Sequence, residues 1–187
     1  MISESVKKNS LYIKLSAVLT NRLFLVVLFT AMTAVAANIA IPLKPVPFTL
    51  QTLLVLLSGA FLGKKDGFYS QIGYLALGAA GLPVFAFVPD GTFGVASLFG
   101  PTGGYLLAFP VAAFLTGAII EKSKSYFSVI SALTLGEVVI TLSGILFLNT
   151  FYVQDLAVAA QAGGLIFLLW TVVKIFIGST LVSKIKK

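Results

Sequence analysis

The sequence contains no cysteine and no histidine, and only 10% of its 187 residues are charged. The two missing residue types exclude disulfides, thiolate catalysis and the common thiolate or imidazole metal sites. The scarcity of charge, beside 58% hydrophobic residues and a mean hydropathy of +1.05, excludes the balance of a soluble domain. An all-α integral membrane protein is expected. At about 20 apolar residues per crossing, the length accommodates roughly six spans with short loops and no soluble nucleotide-binding or catalytic domain. Any ATP-driven work is therefore expected from partner proteins. In residues 1–20, Lys7, Lys8 and Lys14 stand among scattered apolar residues rather than before a continuous apolar core. That pattern reads as a retained cytoplasmic tail and not as a signal peptide.

A net charge of +7 would point to nucleic acid in a soluble protein, but the positions of the charges explain it differently. Lys7, Lys8, Lys14 and Arg22 precede the first apolar run, Lys64 and Lys65 follow the second, Lys122 and Lys124 follow the fourth, and Lys184, Lys186 and Lys187 close the chain. With six spans, eleven of the 13 basic residues share one side. Lys44 falls opposite and Lys174 falls in the membrane. The positive-inside rule then places both termini in the cytoplasm. The expected organisation is a single membrane domain, 1–187, with a tail over 1–21 and a six-helix bundle over 22–183; the lipid bilayer is its surroundings, and no nucleic-acid partner is expected.

The expected spans cover residues 23–41, 49–62, 68–81, 105–120, 126–150 and 163–182. The second and third fall short of a 30 Å hydrocarbon core at about 1.5 Å per residue. Prolines at 42, 45 and 47 make the loop over 42–48 stiff and non-helical. Residues 82–105 are rich in glycine and proline, and their Phe85, Phe87, Phe93 and Phe99 must lie against the top of the bundle, the lipid interface or a ligand. The glycine-rich stretch 91–104 can act as an opening lid. Residues 151–161, with Asp155, form an outer loop. On the first span Thr30, Ala34, Ala37 and Ala40 are small residues of the kind that let helix backbones meet in lipid, either within the chain or on a partner subunit.

Two ionisable residues fall inside the spans. Lys174 interrupts an uncharged run, and a lysine at the centre of a membrane helix costs about 2.5–3.5 kcal/mol on insertion scales, so something anionic should answer it. Glu137 lies at a similar depth in the fifth span. The pair can bond to one another, Lys174 can meet a substrate carboxylate, or it can snorkel to an interface. As an uncompensated cation beneath aromatic, glycine-laced outer segments, Lys174 would mark the cavity of a small acidic nutrient. Gln51, at the outer end of a short helix with Thr49 and Thr52, matches an amide- or urea-like group. Asn38, Gln71 and Tyr74 fit interhelical hydrogen bonding better. The spans hold no nucleophile and base in combination, so an enzyme is not expected.

The motifs VPFTLQTL at 46–53 and GPTGGYL at 100–106 resemble those of the BioY family, the biotin-specific substrate-binding (S) components of energy-coupling-factor (ECF) transporters. The resemblance covers most of residues 31–109 and is looser beyond. It implies a six-helix protein of a prokaryotic cell membrane that binds biotin from outside with high affinity. It also implies partners, a transmembrane coupling protein and two ATP-hydrolysing subunits, with no cofactor on the chain itself. Under it, ordered outer loops cap the vitamin, and Thr30, Ala34, Ala37 and Ala40 dock on the coupling protein. The family commonly carries Asp and Lys three apart on the last helix; Lys174 matches that Lys, and Thr171 stands where the Asp would be. Glu137 is then a candidate to supply the acid. Gln51, Thr49 and Asn38 join Lys174 as polar contacts, Tyr105, Phe85 and Trp170 form walls, and Ser97 reaches in from the lid. Alternatives in the same frame are an S component for another vitamin and a solitary ion-driven transporter using Glu137 and Lys174 as proton carriers.

Overall fold

Asn21 opens the first helix, its side-chain oxygen accepting from the backbone N–H groups of Leu23 at 2.9 Å and Phe24 at 3.3 Å. The structure is a computed structural model that describes residues 21–87 and 93–185. Helix α1 runs over Arg22–Asn38 and stops before residue 41, the expected end. Pro42 drives the residue before it into extended backbone, so Ala40–Ile41 becomes a short strand, β1. It pairs antiparallel with β2, Phe48–Thr49, with Ala40 opposite Thr49 and Ile41 opposite Phe48. This clasp holds the proline loop, and Thr49 belongs to it rather than to the second helix. Helix α2 begins two residues later, over Gln51–Leu62.

Helix α3, Lys64–Ala79, starts four residues earlier than the expected 68 because Gly63 alone makes the corner. Its φ of 86° is a left-handed conformation that favours glycine. Lys64, Lys65 and Asp66 therefore form the first turn of α3 instead of a loop. After a tight turn at Gly94–Phe99 come α4, Gly103–Lys122, and α5, Tyr126–Leu148, the latter capped where the Ser125 hydroxyl accepts from the Ser128 N–H at 3.1 Å. The expected outer loop at 151–161 instead contains a helix, α6, Leu156–Gly163, with Asp155 as its cap. A turn at Leu165–Phe167 leads into α7, Leu168–Ile185, which replaces the expected 163–182.

Surface ion pairs Arg22–Asp66 (2.9 Å) and Lys64–Glu121 (3.1 Å) join the same ends of α1, α3 and α4. The centre of the bundle is α2, α4 and α5, whose buried Val55, Ala60, Ala112, Ala113, Ala132 and Leu133 pack in one cluster. Among the described residues, three helical stretches are long and apolar enough to cross a membrane: Gly103–Lys122, Tyr126–Val153 and Leu156–Ile185. Helices α1 and α2 are apolar but shorter.

The small-residue stripe of α1 turns inward. Thr30 is buried and donates to the Ser70 carbonyl of α3 at 2.8 Å, Ala37 is fully buried, and Ala34 and Ala40 are half-buried. These residues serve close approach within the bundle, and Val27, Leu28, Met32 and Val35 form the outward face. This corrects the expectation that Thr30 and Ala37 face a partner. Of the four loop phenylalanines, Phe85 points inward, edge-on to Tyr74 with ring centroids 5.4 Å apart, whereas Phe87, Phe93 and Phe99 are exposed. Residues 1–20 of the expected tail, with Lys7, Lys8 and Lys14, and Lys186, Lys187, Pro89 and the Gly91 end of the lid lie outside the described residues.

Candidate functional site

Antiparallel α5 and α7 bring Glu137 and Lys174 to the same depth, where they form an ion pair, Lys174 Nζ to Glu137 Oε1, at 2.9 Å. Lys174 also donates to Thr52 Oγ1 of α2 at 2.5 Å. The hydroxyls of Thr52 and Thr171 donate to the same Glu137 oxygen at 3.1 and 3.3 Å. Lys174 is 7% exposed and Glu137 5%. The face of the Phe48 ring lies 5.7 Å from the ammonium, near enough for a cation–π attraction. The uncompensated cation expected from sequence is thus replaced by a hydrogen-bonded pair, which is how a buried charge offsets its desolvation.

This pair lies in the wall of a cavity bounded by the proline loop, the start of α2, Phe85, Thr102 and the beginning of α4. Gln51 is buried and donates through Nε2 to the Tyr74 hydroxyl, which donates in turn to the Val84 carbonyl at 3.0 Å. The Tyr105 hydroxyl donates to the Gly163 carbonyl at 2.6 Å, locking its ring as a wall. That ring lies against Gly144, where a side chain would collide with it.

Seven of the expected ligand residues line this one cavity: Lys174, Glu137, Thr171, Gln51, Thr49, Tyr105 and Phe85. Trp170 does not. It is half exposed and packs behind Phe48, ring centroids 5.3 Å apart, so it backs a wall without forming one. Ser97 and Asn38 line an adjoining recess that shares Phe85, Ala86 and Thr102 with the main cavity. The Asn38 amide is bonded to its own helix, at the Ala34 carbonyl, 2.9 Å away. On the other side of Glu137 and Thr171, an apolar cleft separates α5 from α7.

The pattern that defines the BioY family matches residues 6–187. The chain belongs to the BioY family. It is 41% identical over 160 residues to the biotin transporter BioY of Thermotoga maritima, covering 86% of this chain and 92% of that protein. It is 50% identical over 93 residues to a probable biotin transporter BioY of Pyrococcus horikoshii, covering 50% of this chain and 56% of that one. The crystal structure of an S-component for biotin from an ECF-type ABC transporter superposes with a TM-score of 0.77 at 28% identity, covering 88% of this chain and 90% of that one. These are transporters, not enzymes.

Sequence reasoning singled out Thr52 only as a neighbour of Gln51, and it passed over other cavity residues of this BioY chain, among them Phe48, Thr102, Thr141 and Phe167. Phe48, Thr52 and Thr102 stand inside the two motifs, and Thr141 is one helical turn from Glu137 on the same face. Phe167 left no signal, because its turn breaks what sequence alone reads as one continuous helix.

Proposed function

We propose that this chain is the biotin-binding specificity component of an ECF-type vitamin uptake transporter in a prokaryotic cell membrane. Residues 22–183 then form one membrane domain after a tail over 1–21, crossing six times with both termini in the cytoplasm. Biotin is the cargo, bound from outside; a transmembrane coupling protein and two ATPase subunits supply the energy, and the chain needs no cofactor of its own. The observation that carries this reading is the cavity itself. It has aromatic walls (Phe48, Phe85, Tyr105), polar side chains at the α2 end (Thr49, Gln51) and a buried acid–base pair (Glu137, Lys174). A bicyclic urea with an apolar ring and tail needs that combination of apolar surface and few placed polar groups. Kinship with biotin transporters over most of the chain supports the same ligand.

Equilibrium titration of the purified protein with biotin tests the proposal. Tight binding, displaced by biotin and by no other vitamin, is expected; absence of binding, or displacement by a different vitamin, refutes it. Uptake in cells should stop on ATP depletion, and uptake that persists would instead favour a solitary ion-driven carrier.

A further inference from the structure

Tyr74 does not line the cavity, yet three residues that do are fixed by it. It is fully buried on α3, and its hydroxyl is a node between two other segments of the chain. Gln51 of α2 donates to it through Nε2, and it donates to the Val84 carbonyl, just past the end of α3, at 3.0 Å. Its ring meets Phe85 edge-on, with centroids 5.4 Å apart, and stacks on Phe109 of α4 at 6.2 Å. The direction of the hydrogen-bond chain is set by the backbone. A hydroxyl has one proton and a carbonyl can only accept, so the Tyr74 proton is committed to Val84 and its oxygen accepts from Gln51. Turning the Gln51 amide over would set Oε1 against that oxygen with no proton between them. It would also take Oε1 from the Thr49 hydroxyl, which donates to it at 3.5 Å. Gly78, one turn beyond Tyr74, leaves the space that the Phe85 ring fills, and a side chain there would collide with it.

Resting on the biotin reading above, we propose that Tyr74 is a positioning residue for ligand retention. Without touching the vitamin, it keeps Gln51 on α2 and the Phe85 wall in register, so that the ligand meets both already in place. The Phe85 ring sits in the space that Gly78 leaves, against the Tyr74 ring, while the hydroxyl holds the residue before it. Loss of the hydroxyl frees Gln51 and the Val84 carbonyl together, and the ordering of both then falls to the ligand. Walls that a ligand must order itself bind it less tightly than walls fixed beforehand. Among variants of one site, such a loss shows mostly as faster dissociation.

The test is the release rate of labelled biotin from loaded protein, a property of folded molecules that lost stability alone does not change. Tyr74→Phe keeps both ring contacts and removes the hydroxyl. It should speed release about five- to tenfold, the effect of a lost buried hydrogen bond, with association within about twofold of the parent. Thr33→Val removes another fully buried hydroxyl, one bonded to Gln71 and outside the cavity lining. It should lower the melting temperature by about 1–6 °C and leave release within about twofold of the parent. In a Phe85→Leu protein, Tyr74→Phe should add no more than about twofold, whereas a hydroxyl in direct contact with the ligand would add its full effect. The inference is overturned if Tyr74→Phe releases biotin at the parental rate, if Thr33→Val speeds release as much, or if the Tyr74→Phe effect is undiminished beside Phe85→Leu. Gly78→Ala crowds the Phe85 ring and leaves the hydroxyl in place. It should speed release about fivefold or more, and where Tyr74→Phe does not fold, parental release from Gly78→Ala overturns the inference instead. A parent protein that binds no biotin at all fails differently, by removing the ligand assignment itself and this inference with it.

Discussion

Replacing Glu137 by leucine strands a cation. Lys174, 7% exposed, would keep the Thr52 hydroxyl as a hydrogen-bond partner and lose the carboxylate at 2.9 Å. Removing one partner of a buried pair costs about 3–5 kcal/mol, because the survivor is left charged and dry. For a chain of this size each kcal/mol lowers the melting temperature by about 2–4 °C, so Glu137→Leu should melt about 6–20 °C below the parent. Lys174→Met should cost less, since the Thr52 and Thr171 hydroxyls still donate to Glu137 at 3.1 and 3.3 Å. Combining Lys174→Met with Glu137→Leu should return the protein to within about 1 kcal/mol of the parent, as apolar replacements of buried pairs do. The freed threonine hydroxyls can bond to carbonyls of their own helices. Thermal unfolding of the parent, both single variants and the double variant in one detergent gives the coupling directly. Equal melting temperatures for the parent and Glu137→Leu would refute the claim that the pair is buried and energetically coupled.

Other substitutions probe the walls. Tyr105→Phe removes the donor to the Gly163 carbonyl and should cost about 0.5–1.5 kcal/mol in the same melting assay. Gly144→Val puts a side chain into the space of the Tyr105 ring, and biotin affinity should fall about tenfold or more, as for overpacking that costs 1–3 kcal/mol. Trp170→Leu removes one of the two rings, Trp170 and Phe167, that pack against Phe48 and should cost about 0.5–1.5 kcal/mol, the range of an aromatic pair, in the melting assay. Ser97→Ala, in the adjoining recess, should change biotin affinity by about twofold at most, the effect of a substitution within ±0.5 kcal/mol.

Long apolar runs made α4 and α5 legible to within a few residues, and depth counting put Glu137 opposite Lys174. Whether the two would bond to each other or to a ligand could not be read, since equal depth does not fix rotation about the helix axes. The small residues of α1 mark a close contact but not its partner, and in lipid the outward face is as apolar as the inward one. That removes the contrast that would have shown Thr30 facing α3 and Ala37 turned inward. The β1–β2 clasp escaped notice because two-residue strands have no periodicity, although Pro42 already argued against helix at residue 41. Helix α3 began early because Gly63 makes a whole corner, and the lysines that follow look like a loop in sequence. Trp170 stands one residue from Thr171 and so faces away from it; adjacency in sequence was a poor guide to adjacency in the site.

The single glycine between α2 and α3 leaves those two helices no slack. Whatever rocks the inner end of one must swing the other with it about that pivot. At the opposite extremity the same two rods are bolted by Gln51 and Tyr74, beside the cavity. A push delivered near Gly63 would thus reach the chamber as a rigid tilt, carrying Thr52 and its hold on the ammonium along, without requiring either helix to bend.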